Sequence, residues 1–471
     1  MVAPLKQSMR RLGCLLITVS NVTPAASVFV MGQDVIRQAG TGALWCFIAA
    51  GVLALLTAYV YAELSSAFPV TGGEYSMVGA TMGPSWGFMA LSINIIGGGF
   101  GQAVTALGLA QYLAVVAPGL PAVPTALAAT ALVIVLSVLH IRTNAWITGI
   151  FLSLELAALV LLTGLGVLHP QRGVGEVLLH PVMAGAHGAL TATPLATIGL
   201  ATAGAIYAFN GYGGAVFFGE EMYEARTRLA WVVFWSLAIG AVAELAPITA
   251  FVMGAGDLKG VLASDAPLPA FVLQTGGALL NKAIGLGVAI AIVNAMIAVA
   301  LINARQLYAS ARDGVWPAPV NRALGAVHRR FGSPWISALA MGAFSAACCF
   351  LDLNFLVMLT ANGLVLIYAG VSIGVLVGRR TGSTASGHYR MPLFPIAPVL
   401  ALAALAAVTA ADLADADTGR PSLMANVVAM LAFAAYYRLY LKRRGGWALR
   451  GETGEALGAA EGLRETAARG A

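Results

Sequence analysis

The sequence predicts an all-α integral membrane protein of twelve transmembrane helices, two of them interrupted. Three observations lead there. Of 471 residues, 59% are hydrophobic and only 10% charged, and the mean hydropathy is +0.85, outside the range of water-soluble domains. Apolar runs long enough to cross a ~30 Å hydrocarbon core recur along the chain. The basic residues alternate from loop to loop: Arg37, Arg172, Lys259, Lys282 and Arg420 fall on one side, and the other 21 of the 26 Lys and Arg fall on the opposite side. The positive-inside rule then places both termini in the cytoplasm of a multi-pass protein of the cell (inner or plasma) membrane. The net charge of +6 thus reports topology and contact with membrane lipid, not with nucleic acid.

Taken in order, a cytoplasmic segment (1–11) precedes a first apolar run at about 12–38. That run lacks a small-residue cleavage site and reads as an anchor that stays. It is interrupted at Ser20-Asn-Val-Thr-Pro-Ala-Ala-Ser27, where Pro24 removes an amide donor and crowds the preceding turn. Runs at about 42–68, 84–115, 122–140 and 145–167 follow. The sixth, about 193–218, contains Asn210-Gly211-Tyr212-Gly213-Gly214, where three glycines in five residues loosen the helix. Hydrocarbon cannot satisfy the N–H and C=O groups freed at such a break, so it persists only against protein or a wet cavity. Two interrupted spans, each opening one half of a chain, point to the central binding site of a transporter. Further runs lie at about 228–253, 283–309, 334–352, 354–377, 391–413 and 423–441. The eighth continues as Ser310-Ala-Arg-Asp-Gly-Val-Trp-Pro317 until Pro317 and Pro319 end it. The tail, 442–471, is rich in Gly, Ala, Glu and Arg and is expected to be mobile and cytoplasmic.

Three segments resemble one family. Ala62-Glu-Leu-Ser-Ser-Ala-Phe-Pro-Val-Thr-Gly-Gly-Glu-Tyr75, continuing to Ala80-Thr-Met-Gly-Pro-Ser-Trp-Gly-Phe88, is similar to the loop between spans two and three of amino acid permeases. Ala304-Arg-Gln-Leu-Tyr-Ala-Ser-Ala-Arg-Asp-Gly-Val-Trp-Pro317, closing with Phe331-Gly-Ser-Pro334, resembles their eighth span and following loop, and Phe209 to Glu221 resembles their broken sixth span. On these residues the chain is identified as a member of the amino acid–polyamine–organocation superfamily over about 10–440. The resemblance implies a LeuT-like core at 12–377, with inverted five-helix repeats and discontinuous helices 1 and 6, and two additional helices at 391–441. It also implies that substrate sits between the breaks, its carboxylate on N–H groups of the first and its amino group on carbonyls of both. Helix ends suit those charges. The substrate-binding candidates are accordingly Thr23, Pro24, Ala25, Ala26 and Ser27 in the first break, with Phe209, Asn210, Gly211 and Tyr212 in the second. This chain departs from the family twice. Ala25-Ala26-Ser27-Val28-Phe29 after Pro24 replaces a glycine-rich pattern, so one donor is missing, and the hydroxyls of Thr23 and Ser27 are its replacements. Glu155 stands where cation-exchanging and some proton-coupled members carry a lysine.

Charged groups within a span cost about 2.5–3.5 kcal/mol on insertion scales, so each needs a reason. Glu155 lies in a run with no other charge between Arg142 and Arg172, and Glu244 lies just before Pro247. Both are proton-coupling candidates; the plainer alternative is a neutral acid bonding a backbone carbonyl, at the proline kink in the case of Glu244. Glu63 reads as a pairing or capping residue, and Glu220 and Glu221 as gate or loop partners. Asn94, Asn294 and Asn303 read as interhelical hydrogen bonds, and Gly97-Gly98-Gly99 as a close helix contact. Cys14, Cys46, Cys348 and Cys349 lie in apolar runs and suggest neither disulfide nor zinc. The six histidines lack ligand spacing, and no Walker motif or nucleophile–base pair is found.

The sequence therefore points to a secondary active transporter of amino acids, not an enzyme, with no cofactor or metal. It would work by alternating access through proton-coupled symport or exchange. Two rivals stay open: a carrier of cationic amines or polyamines with Glu155 and Glu244 as counter-charges, and a non-transporting receptor on the same scaffold.

Overall fold

The computed structural model describes residues 4–116, 119–185, 189–392, 394–451 and 455–456. Its apolar runs become helices: α1 (Arg11–Val22), α2 (Gln33–Ala39), α3 (Ala43–Ala67), α4 (Gly73–Met82), α5 (Pro84–Val116), α6 (Ala122–Ser137) and α7 (Ile141–Leu168). The second half continues with α8 (Leu195–Ala208), α9 (Ala225–Gly254), α10 (Pro267–Arg312), α11 (Trp335–Cys348), α12 (Leu353–Thr381), α13 (Ile396–Ala414) and α14 (Gly419–Tyr436). Eight helical segments among the described residues are long and apolar enough to cross a membrane, the first of them running from Arg11 to Ala67 through α1, α2 and α3. The expected fourth and ninth spans are shorter than the sequence suggested, at 16 and 14 helical residues for α6 and α11. At 1.5 Å per residue these rise only about 24 and 21 Å.

Both interruptions form where the sequence put them, each for a local reason. A residue before proline is pushed out of the helical region. Thr23 accordingly turns left-handed (φ 52°, ψ 58°) and ends α1, its amide closing on the Val19 carbonyl at 3.2 Å. The chain restarts at Pro24–Ala26 and widens into a π-helical stretch, Ser27–Gly32, before α2. The second break turns on Gly211, at φ 122°, a conformation that side-chain-bearing residues rarely adopt. A tight 3₁₀ segment, Tyr212–Phe218, follows it.

Two features were not expected. A small antiparallel pair, β1 (Val182–Ala184) and β2 (Leu190–Ala192), lies in the loop before α8, with the Val182 amide bonded to the Thr41 hydroxyl at 2.8 Å. The tail, expected to be mobile from residue 442, is packed through Arg450. The Trp447 indole donates to the Tyr75 hydroxyl at 2.9 Å and packs against Phe88 and Tyr437, while the Ala448 amide reaches the Asp313 carbonyl at 3.2 Å. Residues 452–454 and 457–471 of that tail lie outside the described residues.

Candidate functional site

A cavity of about 250 Å³ lies between the two breaks. Thr23, Ala26 and Ser27 line it from the first break and Asn210 and Gly211 from the second; α5, α10 and α12 complete the walls. The breaks are tied directly. The Ser27 hydroxyl lies 3.1 Å from the Val22 carbonyl at the end of α1 and 2.8 Å from the Ala208 carbonyl at the end of α8. These are carbonyls that a broken helix leaves without an intrahelical partner. The Asn21 amide donates to the Gly211 carbonyl at 3.0 Å. The approach is so close that a Cβ on Gly211 would stand 2.5 Å from the Asn21 carbonyl oxygen.

Four of the expected contact residues do not line the cavity. Pro24 is buried behind it, and Ala25 turns its amide to Glu155. Phe209 is buried and packs against Phe47, ring centroids 6.0 Å apart. Tyr212 is fully buried, its hydroxyl bonded to Thr57 and its ring against Tyr61 and Tyr368. Its neighbours Gly211, Gly213 and Gly214 line the space instead.

Glu155 and Glu244 sit behind the first break, not in the cavity. The Ala25 amide donates to Glu155 Oε1 at 2.9 Å, and Asn294 Nδ2 lies 3.5 Å from Oε2 while also donating to the Ser20 hydroxyl at 2.9 Å. A carboxylate thus occupies the positive end of the restarted half-helix. Glu244 is fully buried beside Ser27 and Glu155.

Sequence reasoning passed over Glu74. It lines the cavity while 6% exposed, and accepts from the Tyr61 hydroxyl at 2.9 Å and from Asn94 Nδ2 at 3.3 Å. Burial pushes its carboxyl up to about 7, against the lowering effect of those two hydrogen bonds. The signal was available: Glu74 is the only charged residue between Glu63 and Arg142. The loop carboxyls, by contrast, pair as the sequence suggested. Arg379 grips Glu63 bidentately at 2.6 and 2.7 Å, Arg305 pairs with Glu221, and Arg312 with Glu220 and Asp313, all these carboxylates being buried. Arg305 and Arg312, their cationic partners, were not foreseen.

The interhelical asparagines hold as read, with Asn303 Nδ2 on the Gly98 carbonyl at 2.8 Å. Among the described residues no group of three or more His, Cys, Asp or Glu is placed to hold a metal ion, and His187 lies outside them.

Comparison with known proteins identifies the family. A family model described as amino acid permease matches residues 11–433. An uncharacterised transporter of Mycobacterium tuberculosis is 28% identical over 72% of this chain and 73% of its own length. A branched-chain amino acid permease of Lactococcus lactis is 24% identical over 79% of this chain and 82% of its own. A low-affinity putrescine importer of Escherichia coli is 20% identical over 72% and 75%. With apolar spans throughout and a family model matched from α1 into α14, this multi-pass membrane protein belongs to the amino acid permease family, within the amino acid–polyamine–organocation superfamily.

Proposed function

We propose that this chain is a secondary transporter that carries a small amine-bearing solute, an amino acid or an amine, across the cell membrane by alternating access. The observation that carries the reading is the cavity walled by both interrupted spans, with Ser27 bonded across them. A solute there touches backbone from both halves of the chain at once, so its binding favours one relative position of the halves over another. The names of the relatives support transport of amino acids or amines. The architecture that fits has twelve spans, with the core of inverted repeats at 12–377, two added helices at 391–441 and both termini cytoplasmic.

Coupling is assigned to Glu155 with Glu244 beside it. Glu155 receives the Ala25 amide and, at 3.5 Å, Asn294 Nδ2, donors that serve a carboxylate, and Glu244 is buried beside it next to Ser27. A shift of the first break that withdraws the Ala25 amide would remove the support of Glu155 and favour proton uptake. Proteoliposomes under an imposed pH gradient test the whole reading. Accumulation against a solute gradient is the expected result; flux that only dissipates the gradient would make the protein a channel, and binding without flux a receptor.

A further inference from the structure

We infer that the solute taken by this cavity is a cationic amine that lacks an α-carboxylate, held through its ammonium by Glu74. The inference rests on the transporter reading and narrows it.

The first break is poorly supplied for a carboxylate. Of the turn that restarts the helix, Pro24 has no amide hydrogen. The Ala25 amide is given to Glu155 at 2.9 Å, and the Ser27 amide returns to the Thr23 carbonyl at 2.9 Å. Of the amides at most that of Ala26 is left, and of the two hydroxyls that of Ser27 is already given to carbonyls, so Thr23 Oγ1 is the side-chain donor that remains. The anion that a helix start attracts is already there as part of the protein, and a second carboxylate beside Glu155 would meet like-charge repulsion. Nor is there a cation to receive one. Among the described residues lining the cavity, Glu74 is the only charged one, and the nearby buried guanidiniums of Arg305 and Arg312 are paired with Glu221, Glu220 and Asp313.

What the cavity does offer is acceptors. Asn21, Asn94 and Asn303 all line it, and each gives its NH₂ group to the protein: to the Gly211 carbonyl, to Glu74 and to the Gly98 carbonyl. Gln306 Oε1, in the same wall, is buried and has no hydrogen-bond partner. Glu74 accepts from Tyr61, Asn94 and backbone, and of the four acceptor sites of its carboxylate one is left for a further donor. An ammonium has three donors and no acceptor, the complement of this set. Glu155 and Glu244 are excluded as its counter-charges because neither lines the cavity.

The test uses matched pairs differing only in the carboxylate: isobutylamine against valine, and putrescine against ornithine. Binding and proteoliposome uptake of each are measured with the full-length protein. The expected result is that each amine binds at least tenfold tighter than its carboxylated partner, and that Glu74→Gln weakens amine binding at least tenfold with the melting temperature unchanged. Should Glu74→Gln fail to fold, Pro24→Gly carries the second arm: restoring an amide donor should narrow the preference within each pair. Valine or ornithine bound as tightly as its amine overturns the inference, as does undiminished amine binding in folded Glu74→Gln. Accumulation of amino acids but not amines would leave the transporter reading standing and sink this one. Neither binding nor uptake of any of the four would sink both.

Discussion

At the residue scale, the proposed function can be tested at a few carboxyls and one glycine. Gly211→Val should abolish transport while the protein still reaches the membrane, because a Cβ there meets the Asn21 backbone and a branched side chain resists φ 122°. Normal uptake by that variant would remove the second break from the site. Glu155→Gln keeps one acceptor for the Ala25 amide but fixes the charge at zero. Proton-driven accumulation should therefore stop while exchange between preloaded vesicles continues, and full pH-driven pumping in the variant would shift the coupling role to Glu244. Glu74 sets a pH dependence of its own. Tyr61 from α3, Asn94 from α5 and Tyr368 from α12 interact with it, and all three are neutral near pH 7. With its carboxyl near 7, the ionised fraction falls about tenfold between pH 8 and pH 6, so amine affinity should weaken by about that factor, read by binding at the two pH values. Glu74 stood out in the sequence as an isolated charge, but its partners did not. Likewise, nothing local announces that Glu155 meets Ala25, a contact between residues 130 positions apart.

At the element scale, most of the architecture was legible because bilayer thickness imposes a length on each apolar run. The breaks were legible too, since proline and clustered glycines act through local sterics. What was hidden depends on neighbours. The π-helical stretch at Ser27–Gly32 carries no sequence mark, and strands of three residues are too short for alternation to register. The join between α12 and the loop before α13 offers a direct test. Glu63 in α3 is fully buried, held by Arg379 and by the Met391 amide at 2.9 Å. Arg379→Ala strands that carboxylate and should cost about 3–5 kcal/mol, the usual penalty for breaking a buried pair. Thermal melting of the purified variant checks it, and an unchanged melting temperature would mean that solvent reaches Glu63 after all.

At the scale of the whole molecule, the segments around Ser8–Met9 and Ala448–Arg450 dock near one another on the same buried charge cluster. The Ser8 and Met9 amides bond the Glu221 carbonyl at 2.9 Å, and the Ala448 and Arg450 amides bond Asp313, next to the Arg312–Glu220 pair. Ending the chain at Gly446 removes the Trp447 packing and the Asp313 contacts. The shortened protein should melt a few degrees lower and be cleaved faster by added protease at that end; identical behaviour would show the docked tail to be passive. The Ser27 hydroxyl carries a different consequence. It has a single hydrogen and two carbonyls within reach, one on each broken span. That hydrogen serves one oxygen at a time, and a rotation about the Cβ–Oγ bond is enough to pass it to the other. In the alternating access proposed above, a fastening that can change hands in this way would hold the two breaks together without locking them in one position.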